Sequence, residues 1–485
     1  MTSYFDLPEF NWTVLLPFLV IAMTGIGGLI ALLFQPKAGS KTLHCLTLAG
    51  VLIAIVAQFG LFGNQYTCLN DMVTKMNPGM IGEALVLISL MVVVLTSKTY
   101  FERTKIECPE FYPLICWSAL GGMIMCSSEN LLVIFVGLEL LSISLYVLAG
   151  TNRRSKFSQE AALKYFLLGA FATGFLLYGI AFLYGASGSI QLDGFLSMAS
   201  QGNGVNRPLY ILGFALIMVG ICFKCGIIPF HQWIPDVYSG APTNVVAFMA
   251  TGAKIGPFIA LYNLVLAVPM MNSVAIPVCL VLSILSMVVG NIMAFSQRDV
   301  KKILAYSSIV NSGYILIYFA GLLKGNSTSE FPFAYFLLGY VFATLGVFTI
   351  LGLIAGDDKE PITIHSLRGL SKRNPALAAL LLVFVLSQVG IGPVAGFIGK
   401  LLFVTHLVSL HQPWLAVILL ANSAFAAFYY LKIIKSAYSS SESDEATPVR
   451  LELSIEIKSA LAVCAIGVIG SVIFYSPIYY FVTPR

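Results

Sequence analysis

Four lysines fall inside stretches too apolar to hold a charge against lipid: Lys164, Lys224, Lys254 and Lys400. One carboxylate lies at comparable depth, Glu139 in LLVIFVGLELLSISLYVL. A buried ammonium loses the hydration that stabilises its charged form, and a nearby carboxylate restores part of it. A Glu139–Lys224 pair whose separation changes would therefore switch a lysine between holding and releasing a proton. Lys254, in MATGAKIGPF, is suited to take that proton through water, and Lys400 to pass it on. His231, in PFHQW, and His406 are candidate relays, because a neutral imidazole both donates and accepts. Lys164 is a third; near a helix end it serves equally as a cation snorkelling to the membrane surface. Structural roles stand beside these. A lone buried lysine can hold the carbonyls freed by a helix break, His231 beside Trp233 can anchor such a segment, and His406 fits an ordinary interfacial residue. Glu83 reads as a solvated acid at a helix end.

The elements that position these side chains are two broken helices. In FKCGIIPFHQWIPDVYSGAPT, residues 223–243, Pro229 and Pro235 lack amide donors and clash with the preceding turn, so a helix arriving from Pro208 must break near Lys224. In LSQVGIGPVAGFIGK, residues 386–400, Gly390, Gly392 and Pro393 interrupt a second helix, and Lys400 follows within two turns. Lipid cannot satisfy the carbonyls that a break frees, so both breaks are expected inside protein or beside a water-filled cavity.

The surroundings are those of a membrane. Of 485 residues 58% are hydrophobic and 10% charged, with a mean hydropathy of +0.90, whereas soluble domains carry about 25% charged residues. The expected fold is an all-α polytopic membrane protein of about fourteen transmembrane helices. The seventh span covers 208–237, the eighth 244–268 and the twelfth 375–407. If both termini face outward, nineteen basic residues fall on the inner side and four on the outer, Lys75 among the latter; positive charge collects in cytoplasmic loops. Spans four to eight and nine to thirteen form two blocks of five, each broken in its fourth helix. An odd number makes consecutive blocks enter from opposite sides, as inverted repeats do. The division is 1–110 for the first three helices, 111–268 and 269–436 for the repeats, and 437–485 for a loop and last helix. The basic residues are spread over short loops, which argues against nucleic acid as a partner. The nine cysteines lie mostly in apolar runs, and Cys222-x-x-Cys225 lacks the second pair of a zinc site. Asp6 and Glu9, with no basic residue near the N-terminus, speak against a cleaved signal peptide. No Rossmann glycine pattern, iron–sulfur cysteine set or haem-ligand pair is evident.

The residues 223–243 with AFMATGAKIGPF, GLELLSISLYVL, SQRDVKKILAYSSIVNSGY and LSQVGIGPVAGFIGK together resemble the antiporter-like membrane subunits of proton-pumping NADH:quinone oxidoreductase, respiratory complex I. The resemblance covers nearly all of spans four to thirteen. It implies proton translocation from the cytoplasm to the outer face of a bacterial inner membrane, driven by quinone reduction elsewhere. Carried over residue by residue, it puts Glu139, Lys224, Lys254 and Lys400 on the proton path. The implied partners are other membrane subunits, further antiporter-like ones included, and the lipid bilayer. NAD, FMN, iron–sulfur clusters and quinone would belong to other subunits, with no cofactor in this chain. Lys400, where another branch carries glutamate, and the lack of a long C-terminal extension make the chain most similar to the subunit N branch. At the second break the family's Gly-Ile-Pro becomes Gly390-Ile391-Gly392-Pro393, which displaces the proline by one residue. A subunit of a multisubunit cation/proton antiporter would share the breaks, the glutamate and the lysines. A structural spacer would use the same charges to hold helices in register.

Overall fold

The computed structural model describes residues 10–34, 40–195, 206–268, 271–325, 327–356, 361–439 and 453–483. Asp6, Glu9, Lys37, Lys359, Arg450 and Arg485, which enter the charge arguments, lie outside the described residues, as does residue 269, where the expected second repeat begins. Helices α1 (Trp12–Phe34) and α2 (Ser40–Phe59) lead through a hairpin of β1 (Tyr66–Cys68) and β2 (Val73–Lys75) into α3 (Asn77–Thr104). Then follow α4 (Phe111–Cys126), α5 (Leu131–Ala149), α6 (Lys156–Ser187), α7 (Arg207–Cys225), α8 (Trp233–Gly240), α9 (Thr243–Ala250) and α10 (Gly252–Ala267). The longer helices of the remainder are α11 (Asn272–Ser296), α12 (Val300–Gly325), α13 (Phe331–Ile354), α14 (Pro375–Val389), α15 (Ala395–Ser409), α16 (Pro413–Tyr438), α17 (Ile455–Ala465), which continues through a wider turn so that Ile455–Ile473 forms one apolar stretch, and α18 (Tyr475–Val482).

Among the described residues twelve helical stretches are long and apolar enough to cross a membrane. The expected fourteen differ from this count at two places. Helix α4 has only 16 residues, and the twelfth span is split into two helices of 15 residues each. The seventh span is divided too: α7 stops at Cys225 and α8 begins at Trp233. Pro235 does not break it. That residue is buried in the first turn of α8, where a missing amide hydrogen costs no hydrogen bond. The eighth span, expected to be continuous, is interrupted at Thr251, whose φ of −124° and ψ of −90° are not helical.

Burial sorts the helices into a centre and a periphery. The stretch α9–α10 and α12 are enclosed throughout, and α13 nearly so, whereas α1, α11 and α16 leave most of their apolar surface outward. With lipid as solvent an apolar exterior carries no penalty, and polar side chains collect on the enclosed helices. Lys254 sits on α10, and Ser307, Ser308, Asn311 and Ser312 on α12, all buried.

Two charges lie deeper than their sequence suggested. Glu83 is not solvated: it is fully buried in α3 and forms an ion pair with Lys75, which the hairpin carries and which is equally buried. Lys75 also stands 4.1 Å from the centroid of the Phe18 ring. The hairpin folds the lysine back under the start of α3, so it is not the free outer-loop cation of the charge count.

Candidate functional site

Each break is built on a glycine that ends a helix in the left-handed region. Gly226 has φ +74° and Gly390 φ +83°, a backbone that residues with a Cβ adopt only under strain. Around Gly226 the amide of Ile227 donates to Cys222 O at 2.9 Å; around Gly390 that of Ile391 donates to Leu386 O at 3.1 Å. Both are six-to-one closures of the Schellman type. Gly392, with φ +87°, and Pro393 then carry the chain into α15. The last carbonyls of α7 and α14 remain without helical partners, each at the negative end of a helix dipole.

A lysine and a serine occupy each of those ends. At the first break Cys225 O accepts from Lys254 Nζ at 3.2 Å and from Ser312 Oγ at 2.7 Å. At the second, Lys400 Nζ donates to Gln388 O at 3.0 Å and Val389 O at 2.7 Å, and Ser423 Oγ donates to Val389 O at 3.1 Å. Lys400 Nζ also reaches Ser423 Oγ at 2.8 Å, which gives its ammonium three acceptors.

Lys224 is placed otherwise. In the last turn of α7 it turns from the break towards α5 and α6, and donates to Tyr146 Oη at 3.1 Å. Its Nζ stands 4.9 Å and 5.0 Å from the ring centroids of Tyr146 and Tyr165. Tyr165 stacks on Trp233, whose indole donates to Phe223 O at 2.9 Å, so the aromatic wall is fastened to the break itself. The expected Glu139–Lys224 ion pair is not closed. Glu139 lies on α5 beside a stripe of exposed Leu132, Val136, Ile143 and Val147, and its buried Oε1 has no hydrogen-bond partner among the described residues. Tyr146, two turns along α5, takes the position at the lysine.

Between the breaks runs α12. Lys254 Nζ bonds Ser308 Oγ, Ser308 Oγ bonds Tyr340 Oη at 3.0 Å, and Tyr340 Oη donates to Ala250 O at 2.9 Å. Farther along the helix the Tyr314 ring lies 5.0 Å from Lys400 Nζ. One enclosed helix thus touches both lysines that cap the breaks.

Residues 128–426 match the family model described as NADH:quinone oxidoreductase/Mrp antiporter, TM. The NADH-quinone oxidoreductase subunit N of Trichlorobacter lovleyi is 36% identical over 458 residues, 93% of each chain. That of Chloroflexus aggregans is 34% identical and covers 96% of each chain. The chain belongs to the subunit N family of NADH:quinone oxidoreductase. A chain of respiratory complex I from Thermus thermophilus superposes with a TM-score of 0.79 at 31% identity, covering 95% of this chain and 97% of that one. A chain of the Mrp complex from Dietzia, at 16% identity and a TM-score of 0.82 over 98% and 96%, shares the fold. Members of the subunit N family are antiporter-like, proton-translocating membrane subunits, and their assemblies hold further antiporter-like subunits.

Within this subunit N fold the candidate relays separate. Lys164 is not enclosed; it is partly exposed and paired at 2.7 Å with both Glu160 and Asp236. His231 lies in the first break with its Nδ1 buried, and Pro229 beside it is exposed. His406 is near the far end of α15, 3.5 Å from Ser327 Oγ. Cys222 and Cys225 are both buried free thiols. Residues missed from sequence are Tyr146, Ser308, Ser312, Tyr340 and Ser423. A signal existed for the serines: Ser307, Ser308, Asn311 and Ser312 fall at helical spacing on one face of an otherwise apolar span. Lys301, one of the nineteen basic residues counted on the inner side, is buried and donates to Ala241 O at 3.0 Å just beyond α8.

Proposed function

We propose that the chain carries protons from the cytoplasm to the outer face of a bacterial inner membrane along Glu139, Lys224, Lys254 and Lys400, driven by quinone reduction elsewhere in the complex. The observation that carries this reading is the matched pair of helix ends, each holding a buried ammonium that pairs with no carboxylate among the described residues. Such an ammonium is held by carbonyl and hydroxyl dipoles alone, so its proton moves when the dipoles are rearranged. Lys224 is the switch point. With one hydrogen-bond acceptor and three aromatic rings around it, it responds to whatever draws Glu139 nearer or farther, and its acceptor Tyr146 shares α5 with Glu139. Ser308 and Tyr340 supply hydroxyls that pass a proton to or from Lys254, and α12 couples that step to Lys400. As a working part of the translocase the chain performs no redox chemistry; NAD, FMN, iron–sulfur clusters and quinone are assigned to other subunits.

The like construction of the two breaks also supports two inverted five-helix repeats, 111–268 and 269–436, in a fourteen-pass topology with both termini outside. Glu139 and the exposed peptide segments of both breaks lie on sides that a neighbouring antiporter-like subunit would enclose.

The deciding test follows NADH-driven proton uptake and NADH:quinone turnover in membrane vesicles carrying Lys224→Ala, with assembly verified. Collapse of proton uptake in an assembled complex is expected. Normal uptake with normal turnover would return Lys224 to a scaffolding role.

A further inference from the structure

The face that carries most of the basic loops holds a cavity of about 460 Å³ between the loop joining α3 to α4 and the loop joining α5 to α6. Arg103, Lys105, Arg153 and Arg154 line it, with Glu107 as the acidic side chain in its wall. Among the described residues none of the four cations is in an ion pair; the salt bridges found there use other side chains. The cavity is built rather than incidental. Lys105 ends α3 with φ +54°, which turns the chain sharply at the rim. The second loop is fixed by Ser155 N donating to Asn152 O at 3.0 Å and Gln159 Nε2 donating to Arg153 O at 2.8 Å, over a buried Asn152. Four cations facing one acid, none neutralised in place, leave a surplus that calls for an anion. Two observations favour an amphiphilic one. The cavity lies where membrane helices end, at headgroup level, and exposed apolar side chains flank its second loop on either side in sequence, Val147 before and Phe157 after.

We propose that this cavity binds the phosphate of an anionic phospholipid headgroup, with the guanidinium groups of Arg103, Arg153 and Arg154 as its principal donors. Guanidinium matches phosphate oxygens in bidentate geometry, and each basic group near an anionic membrane surface strengthens binding by about fivefold.

The test uses the assembled complex in lipid nanodiscs. Photoactivatable phosphatidylglycerol and a photoactivatable phosphatidylcholine of the same chains are crosslinked in parallel, and labelled peptides are mapped. The expected result is labelling of 103–107 and 151–154 by the anionic probe, reduced by about tenfold or more in the triple variant R103Q/R153Q/R154Q. R298Q, an exposed arginine outside the cavity, should leave it unchanged. The single variants R153Q and R154Q, each with a partial loss, carry the test if the triple variant does not assemble. Displacement of the anionic probe by millimolar inorganic phosphate, with no lipid retained through detergent exchange, would identify free phosphate as the source of the same chemistry. Equal labelling by both lipids, or labelling indifferent to the arginines, overturns the proposal. So does a crosslink in the assembled complex from 103–107 or 151–154 to an acidic segment of a neighbouring subunit, since protein would then occupy the cavity.

Discussion

The three enclosed lysines of the proposed path differ in what holds their charge, and a fourth, Lys75, differs from all of them by having a carboxylate. A buried pair of this kind is expensive to break from one side, because the surviving charge is left in an apolar surrounding. Glu83→Ala should therefore lower stability by roughly 3–5 kcal/mol, whereas replacing both partners, Lys75→Met with Glu83→Leu, should restore most of it. Thermal unfolding of the solubilised complex checks this; equal loss in single and double variants would mean that the pair is not the source. Glu330, just before α13, offers a pH test. Burial pushes its carboxyl up to about 7. The folded chain then binds a proton that the unfolded chain releases near the ordinary glutamate range, so stability is fullest below that range and falls as pH rises towards 7. Melting temperature measured from pH 5 to pH 8 should drop less in Glu330→Gln than in the parent. Parallel curves would place the dependence elsewhere.

At the scale of elements, the glycines at the breaks are where sequence and structure agree most closely. Gly390 and Gly392 marked the second break, and both have left-handed φ. The reason is local: only glycine reverses the chain there without strain, so the requirement is written at the position itself. A Cβ at Gly390 would also come within 2.8 Å of Lys400 Cδ, and one at Gly226 within 3.2 Å of Lys254 Nζ. Gly390→Ala should thus cost roughly 1–2 kcal/mol in backbone strain and displace the lysine. Slower proton uptake at unchanged complex content is the outcome expected in vesicles; unaltered uptake would show that the lysine does not need its place at the helix end. Prolines were a poorer guide. Pro229 belongs to the break but Pro235 does not, because a proline's effect depends on whether its amide falls in a helix interior or a first turn. The interruption at Thr251 had no sequence mark at all. Nor did the burial of Glu83 and Lys75, which comes from a hairpin folding back, a tertiary event. The polar face of α12 was readable in the spacing of its serines, yet which lysine they serve required three dimensions.

For the whole molecule, the central fact is that α12, a helix enclosed throughout, is also among the most polar. Helix α12 is reached by both lysines at the helix ends, so a shift of one end need not travel through flexible loops to be felt at the other. The second large-scale feature is that neither break is enclosed by this chain. Pro229 and Gln232 at the first, and Ile391, Gly392 and Pro393 at the second, are exposed, although the lysines behind them are buried. A membrane-embedded interruption of helical hydrogen bonding cannot be left to lipid. In the proposed arrangement its completion falls to the adjoining subunits, which would make the chain's survival in the cell a matter of timing. A copy inserted without neighbours would leave these exposed residues of both breaks uncovered, and quality-control proteases act on irregular segments of that kind. When a neighbouring subunit is deleted, pulse-chase labelling should show a shortened half-life for this chain. An orphan copy as long-lived as the assembled one would mean that the breaks protect themselves.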